Sequence, residues 1–166
     1  MQLEAKRNAA GQWISVTDEI KRELNELLES AIAYEPVVLA AADAADFFLA
    51  KMAESKTKPE ITTIEKAKAT LKAVSSSYDE KKTQLEATLE RVTAMNTAVK
   101  TTISELAPDK FSARIDKFQE IRHKLEAHIT RIEKLMTAVE EQKRAKLEEA
   151  KAIIMKGHRA DYFNKL

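Results

Sequence analysis

An apolar residue recurs at every seventh position through the middle of the chain. The series runs without a slip through Ile64, Leu71, Tyr78, Leu85, Val92, Val99 and Leu106. A seven-residue apolar repeat of this length places one seam of a long α-helix against other helices. The repeat therefore predicts a coiled-coil architecture.

Apolar heptad rows also run before and after this segment. They comprise Ile20, Leu27, Tyr34, Ala41 and Phe48; Leu24, Ala31, Val38, Ala45 and Met52; and Phe111, Phe118, Leu125, Ile132 and Val139. Pro59 and Pro108, each followed by a carboxylate, are typical of a first helical turn, and Gly157 is typical of a helix end. These signals predict three helices over residues 18–56, 60–106 and 109–156.

Short connections between long helices favour antiparallel neighbours. We therefore predict an all-α fold, an elongated up-down-up three-helix bundle over residues 17–157. Residues 1–16 precede it as an extended tail or small hairpin, and residues 158–166 follow as a C-terminal tail. The first helix is net acidic and the third net basic, which favours a parallel, adjacent arrangement of the two.

Two local features could interrupt this plan. Pro36 lies inside the first helix and Ser75–Ser77 inside the second, and breaks there would give a bundle of four or five helices. The apolar rows keep their phase across both places. We therefore expect continuous helices, with a kink at Pro36.

The balance of charge argues against specific nucleic-acid binding. The chain has 28 Lys and Arg against 27 Asp and Glu, whereas nucleic-acid-binding domains usually show a clear basic excess. Cysteine is absent, residues 1–10 lack the apolar core of a secretory signal, and acidic residues interrupt the apolar segment 31–50. Together these features predict a cytoplasmic protein without a transmembrane span.

Signals for catalysis, cofactors or metals are nearly absent from the sequence. Glycine occurs only at 11 and 157, which excludes a glycine-rich phosphate loop. Glu120 and His123 match half of a carboxylate di-iron site, but no second such pair exists. His123 and His128 are five residues apart, so they diverge by about 140° around a helix. We expect no catalytic, cofactor or metal site.

The first helix carries more apolar residues than one seam requires. A second stripe contains Leu28, Ile32, Leu39 and Phe47. A second apolar stripe usually marks a further packing partner, which could be another copy, a different protein or a lipid surface. Because homo-oligomers are common, we expect self-association along the first helix.

A basic row and three aromatic residues complete the candidate surfaces. The row contains Lys110, Lys117, Lys124 and Arg131, which could pair with glutamates of a neighbouring helix or form a ridge for anionic lipid or nucleic acid. Interspersed acidic residues make the lipid ridge the less favoured interpretation. The candidate terminal anchors are Trp13, Tyr162 and Phe163.

The sequence predicts a non-enzymatic protein that acts through helical surfaces, as an assembly, scaffold or adaptor component. Two alternatives remain open. One is a peripheral membrane-binding protein, and the other is a small inhibitor or effector that docks on one host protein. Architecture alone does not choose among these functions.

Overall fold

Three long helices and a short N-terminal hairpin make up the computed structural model, which describes residues 5–15, 17–55, 64–108 and 112–157. The elements in chain order are β1 (Ala5–Arg7), β2 (Trp13–Ser15), α1 (Asp18–Glu54), α2 (Ile64–Glu105) and α3 (Ser112–Gly157). The predicted all-α three-helix bundle with a short non-helical N-terminal segment is confirmed. The predicted helix-start residues Pro59, Glu60 and Asp109 lie outside the described residues, and Pro108 lies in a turn after α2.

The first two helices are continuous where the sequence raised doubts. Thr17 caps α1, because its Oγ1 accepts a hydrogen bond from the Ile20 amide at 3.3 Å. Pro36 lies within α1, and α2 passes through Ser75–Ser77 without a break. The Ser77 hydroxyl donates to the Ala73 carbonyl oxygen at 3.4 Å, as hydroxyls inside helices often do. Continuity is therefore confirmed, and the kink expected at Pro36 stays a prediction.

Side-chain contacts fix the directions of the helices. Asn25 and Glu35 of α1 lie beside Arg114 and His128 of α3 respectively, so residue numbers rise together and these helices run parallel. Between α2 and α3 the order is reversed, since Asp79 pairs with Lys143 whereas Lys82 pairs with Glu140. The helices thus run up, down and up.

The helices contribute to two compact units. The first holds the described residues of Met1–Ala40 and Thr88–Arg131, and the second those of Ala41–Ala87 and Ile132–Leu166. The core of the first unit contains Leu24, Ala31, Val38, Val92, Val99, Phe118 and Leu125. These residues come from the predicted heptad rows, and all are almost completely buried.

The core of the second unit contains Ala45, Tyr78, Leu85, Ile132 and Val139 from the same rows, together with Ala150 and Ile154. The Tyr78 ring meets Phe48 edge-to-face, with ring centroids 5.2 Å apart. Lys146, where the heptad row of α3 fails, donates from Nζ to the Ser55 carbonyl oxygen at 2.7 Å. A lysine at this place is stabilising because helix C-termini carry partial negative charge and α1 ends at Glu54.

The N-terminal hairpin is held by its turn and by the end of α2. Asn8 accepts at Oδ1 from the amides of Ala10 and Gln12, and Gly11 has a φ of 81°, which glycine adopts readily. The Ala107 amide donates to the Ala5 carbonyl oxygen at 3.1 Å. An isolated two-stranded hairpin is marginally stable, so this docking on the residues after α2 stabilises it.

Candidate functional site

A groove between α1 and α3 in the first unit is the strongest candidate for a functional surface. Its volume is about 270 Å³. The lining residues are Leu28, Ala31, Ile32 and Glu35 from α1, and Lys117, Glu120, Ile121, Lys124, Leu125 and His128 from α3. The members of each set recur at positions i, i+3, i+4 and i+7, so each helix presents one face to the groove.

The floor of the groove is apolar and its apolar wall is partly uncovered. Ala31 and Leu125 belong to the buried core, with 2% and 1% of their surface exposed. Leu28 and Ile121 are half-buried, whereas Ile32 is 53% exposed. A branched aliphatic side chain beside a concave apolar floor forms contiguous surface that a binding partner could cover.

Charged groups line the edges of the groove in equal numbers of each sign. Lys124 lies 3.9 Å from Glu120 of its own helix, and their side chains are 55% and 70% exposed. Such exposed pairs contribute about 0–1 kcal/mol to stability. Lys117 has no hydrogen-bond or ion-pair partner within the described part of the chain. The groove therefore keeps charged groups available for an external partner.

Glu35 and His128 face each other across the groove. His128 Nε2 lies 3.5 Å from Glu35 Oε1, which is too long for a strong hydrogen bond. Nε2 is buried and has no hydrogen-bond partner among the described residues. Buried polar atoms normally have a hydrogen-bond partner, so this nitrogen is an exception beside the groove.

The structure brings together part of each surface that the sequence predicted. Leu28 and Ile32 of the apolar stripe share the groove with Lys117 and Lys124 of the basic row. Leu39 is 37% exposed and lies four residues beyond Glu35, so it extends the same face of α1.

Other members of the predicted surfaces lie elsewhere. Phe47 belongs to the second unit and is 63% exposed, with the Lys51 ammonium 5.1 Å from its ring centroid. Arg131 is half-buried at the end of the first unit and takes part in an interaction of its own. Lys110 lies outside the described residues.

Of the three terminal anchors, only Trp13 is described. It lies in β2 and is 44% exposed, with the Arg7 guanidinium carbon 4.7 Å from the ring centroid. This cation–π contact holds the ring against its own hairpin. Tyr162 and Phe163 lie outside the described residues.

A second cavity of about 440 Å³ lies beside the hairpin in the first unit. Lys6 and Glu105 line it, and their ion pair of 2.9 Å joins β1 to the end of α2. Because this pair already supports the docking of the hairpin, we assign the cavity a structural role.

Sequence reasoning missed Glu35 and His128 as groove residues. The sequence pattern places His128 only as an unsuitable metal ligand beside His123, and Glu35 only among the acidic residues that interrupt the apolar segment 31–50. A signal was present in the sequence. Each residue flanks a buried heptad row, and residues that flank the core rows of adjacent parallel helices can face each other.

No metal centre is visible in the described ranges, where no three His, Cys, Asp or Glu residues cluster suitably for a metal ion. The residues of the half-site, Glu120 and His123, are both exposed on α3. Among the helices described, none is long and apolar enough to cross a membrane.

Comparisons with known proteins give no information about function. No protein-family model matches the chain, and neither a curated protein nor a solved structure matches it.

Proposed function

We propose that this chain is a non-catalytic interaction protein, an assembly, scaffold or adaptor component, that binds protein through the groove between α1 and α3. The observation that carries the proposal is Ile32, which is 53% exposed in the groove beside half-buried Leu28 and Ile121. Covering these side chains removes apolar surface from water and so favours association.

The distribution of polar groups supports a protein partner. Protein interfaces typically combine an apolar centre with a polar rim. Here the apolar lining residues are accompanied by Glu35 on α1 and by Lys117, Glu120 and Lys124 on α3. Because two glutamates balance the two lysines, the groove lacks the basic excess that favours anionic lipid.

Site-specific photocrosslinking in the native host tests this proposal. The crosslinking amino acid p-benzoylphenylalanine replaces Ile32 in one variant and Val37 in another. Both native residues are 53% exposed on α1, but only Ile32 lines the groove. We expect discrete crosslinked protein products from position 32 that are absent from position 37.

The matched pair makes the result interpretable, because both variants place the same reactive group on an equally exposed part of one helix. Copies of this chain and foreign proteins both count as partners in this experiment. Identical products from the two positions, or none from position 32, would contradict the proposed binding surface.

A further inference from the structure

We infer that the partner covering the groove is a second copy of this chain, with α1 of each copy lying over α3 of the other. This inference rests on the proposed function, since it names the partner of the same groove. It follows from the order of apolar and charged residues along the two helices.

Two contacts establish which residues lie at the same level across the groove. Asn25 lies beside Arg114, and Glu35 lies beside His128. Because α1 and α3 run parallel between these contacts, Leu28 lies within about one helical turn of the level of Ile121, and Ile32 within one turn of that of Lys124 and Leu125. Each groove residue of α1 can therefore be matched to the α3 residues that lie at a similar height along the helix axes.

A two-fold axis parallel to the groove would make the two copies complementary. This symmetry places α1 of one copy over α3 of the other and leaves the levels unchanged. Leu28 and Ile32 would then cover Ile121 and Leu125 of the partner subunit. Glu35 would lie level with His128 of the partner subunit and one helical turn from Lys124 of the partner subunit, whose long side chain spans that distance.

A two-fold axis across the groove gives a poorer match. That symmetry places α1 over α1 and α3 over α3, in antiparallel orientation. With the axis between the levels of Glu120 and Ile121, Lys117 of one copy would meet Lys124 of the other at both ends of the contact. Like charges brought together across an interface are destabilising, so charge disfavours this antiparallel register.

The composition of the groove favours a copy of the chain over a foreign partner. An isologous interface uses the same patch twice, so that patch must contain both halves of every complementary pair. The groove contains two lysines and two glutamates beside its apolar residues, which meets this requirement. A patch dominated by one sign of charge would instead require a different, oppositely charged partner.

A charge-exchange experiment on the purified chain tests the arrangement. Glu35→Lys alone and Lys124→Glu alone each place like charges opposite one another at both symmetric contacts. We expect the dissociation constant of either homodimer to rise about tenfold or more. An equimolar mixture of the two variants restores opposite charges at both contacts and should form heterodimers with nearly wild-type affinity.

Restoration by mixing also excludes misfolding as the cause of weakened association, because a misfolded variant would not be rescued. The mass and the dissociation constants are measured by sedimentation equilibrium, with Val37→Lys as a control outside the groove. Failure of the mixture to associate would overturn the arrangement of α1 over α3.

Disulfide trapping gives a second, independent reading because the native chain contains no cysteine. Mixed Glu35→Cys and Lys124→Cys variants should form the mixed disulfide faster than either forms its own. A purified chain that remains monomeric, while position 32 still crosslinks a foreign protein in cells, would overturn this inference and leave the proposed function intact.

Discussion

Tyr78 is a buried residue of α2 whose hydrogen-bond partner, Gln142 of α3, is also hydrogen-bonded to α1 in the second unit. Its hydroxyl lies 2.9 Å from Oε1 of Gln142 on α3, and Nε2 of Gln142 donates to the Leu49 carbonyl oxygen of α1 at 3.0 Å. Burial raises the pKa of Tyr78, with a smaller contribution from Glu149, so the neutral phenol donates the hydrogen bond. A buried polar group with a satisfied partner favours one alignment of the helices.

The effects of changing Tyr78 and Gln142 on the free energy of unfolding should be coupled. Tyr78→Phe removes the hydroxyl donor, and we expect it to lower the free energy of unfolding by about 1 kcal/mol. Gln142→Leu removes the acceptor and the contact with α1. A double-mutant cycle measured by urea denaturation should give a coupling energy of about 0.5–1.5 kcal/mol. Strict additivity would show that the hydrogen bond contributes nothing to stability.

At the scale of elements, ion pairs join α2 to α3 in the second unit. Lys143 Nζ lies 2.6 Å from Asp79 Oδ1, and Lys82 Nζ lies 2.8 Å from Glu140 Oε1. The hydrogen bond from Lys143 lowers the pKa of Asp79, and the hydrogen bond from Lys82 lowers the pKa of Glu140. Both carboxyls therefore remain ionised in the folded chain at pH values where the unfolded chain binds protons.

These pKa shifts predict loss of stability in acid. A lowered folded-state pKa contributes stability above the unfolded value, about pH 4, and this contribution disappears as the pH falls through the folded pKa. We expect the double variant Asp79→Asn, Glu140→Gln to lose less stability than the native chain between about pH 6 and pH 3. Urea denaturation at both pH values measures the difference. Glu80→Gln, which changes an exposed carboxyl of α2, is the control. If the double variant loses as much unfolding free energy between these pH values as the native chain does, the two ion pairs are not the cause of the acid sensitivity.

The long elements could be predicted from sequence because their apolar repeats are long. The heptad row from Tyr78 to Leu106 is buried as expected, since only one face of each helix can meet the core. The pairing of Glu35 with His128 was not predictable in the same way. It depends on the relative level of two helices that lie far apart in sequence, and neither residue belongs to an apolar row.

The docking of the hairpin also could not be predicted from local sequence patterns. The alternation around Trp13 and the Asn8–Gly11 turn allowed a hairpin, but its stability depends on contacts with the distant end of α2. The structure supplies those contacts through the Ala107 amide and the Lys6–Glu105 ion pair. Local sequence thus predicts the turn, whereas tertiary packing decides that the hairpin forms.

For the whole molecule, our proposal of self-association rests on the partly uncovered face of α1. The exposed apolar residues of α1 have different surroundings. Ile32 borders the concave groove of the first unit, whereas the ring of Phe47 in the second unit is accompanied by the Lys51 ammonium. We therefore propose that the chain associates through the face of α1 that contains Leu28, Ile32 and Leu39.

Sedimentation velocity of the native chain and of two single variants tests whether the face of α1 that contains Ile32 mediates self-association. We predict that, at micromolar concentrations, the native chain and Val37→Glu sediment as dimers. Ile32→Glu should sediment as a monomer with unchanged helical circular dichroism, because the new carboxylate would be buried at the interface without a partner. A monomeric native chain, or dimers that persist in Ile32→Glu, would contradict the account.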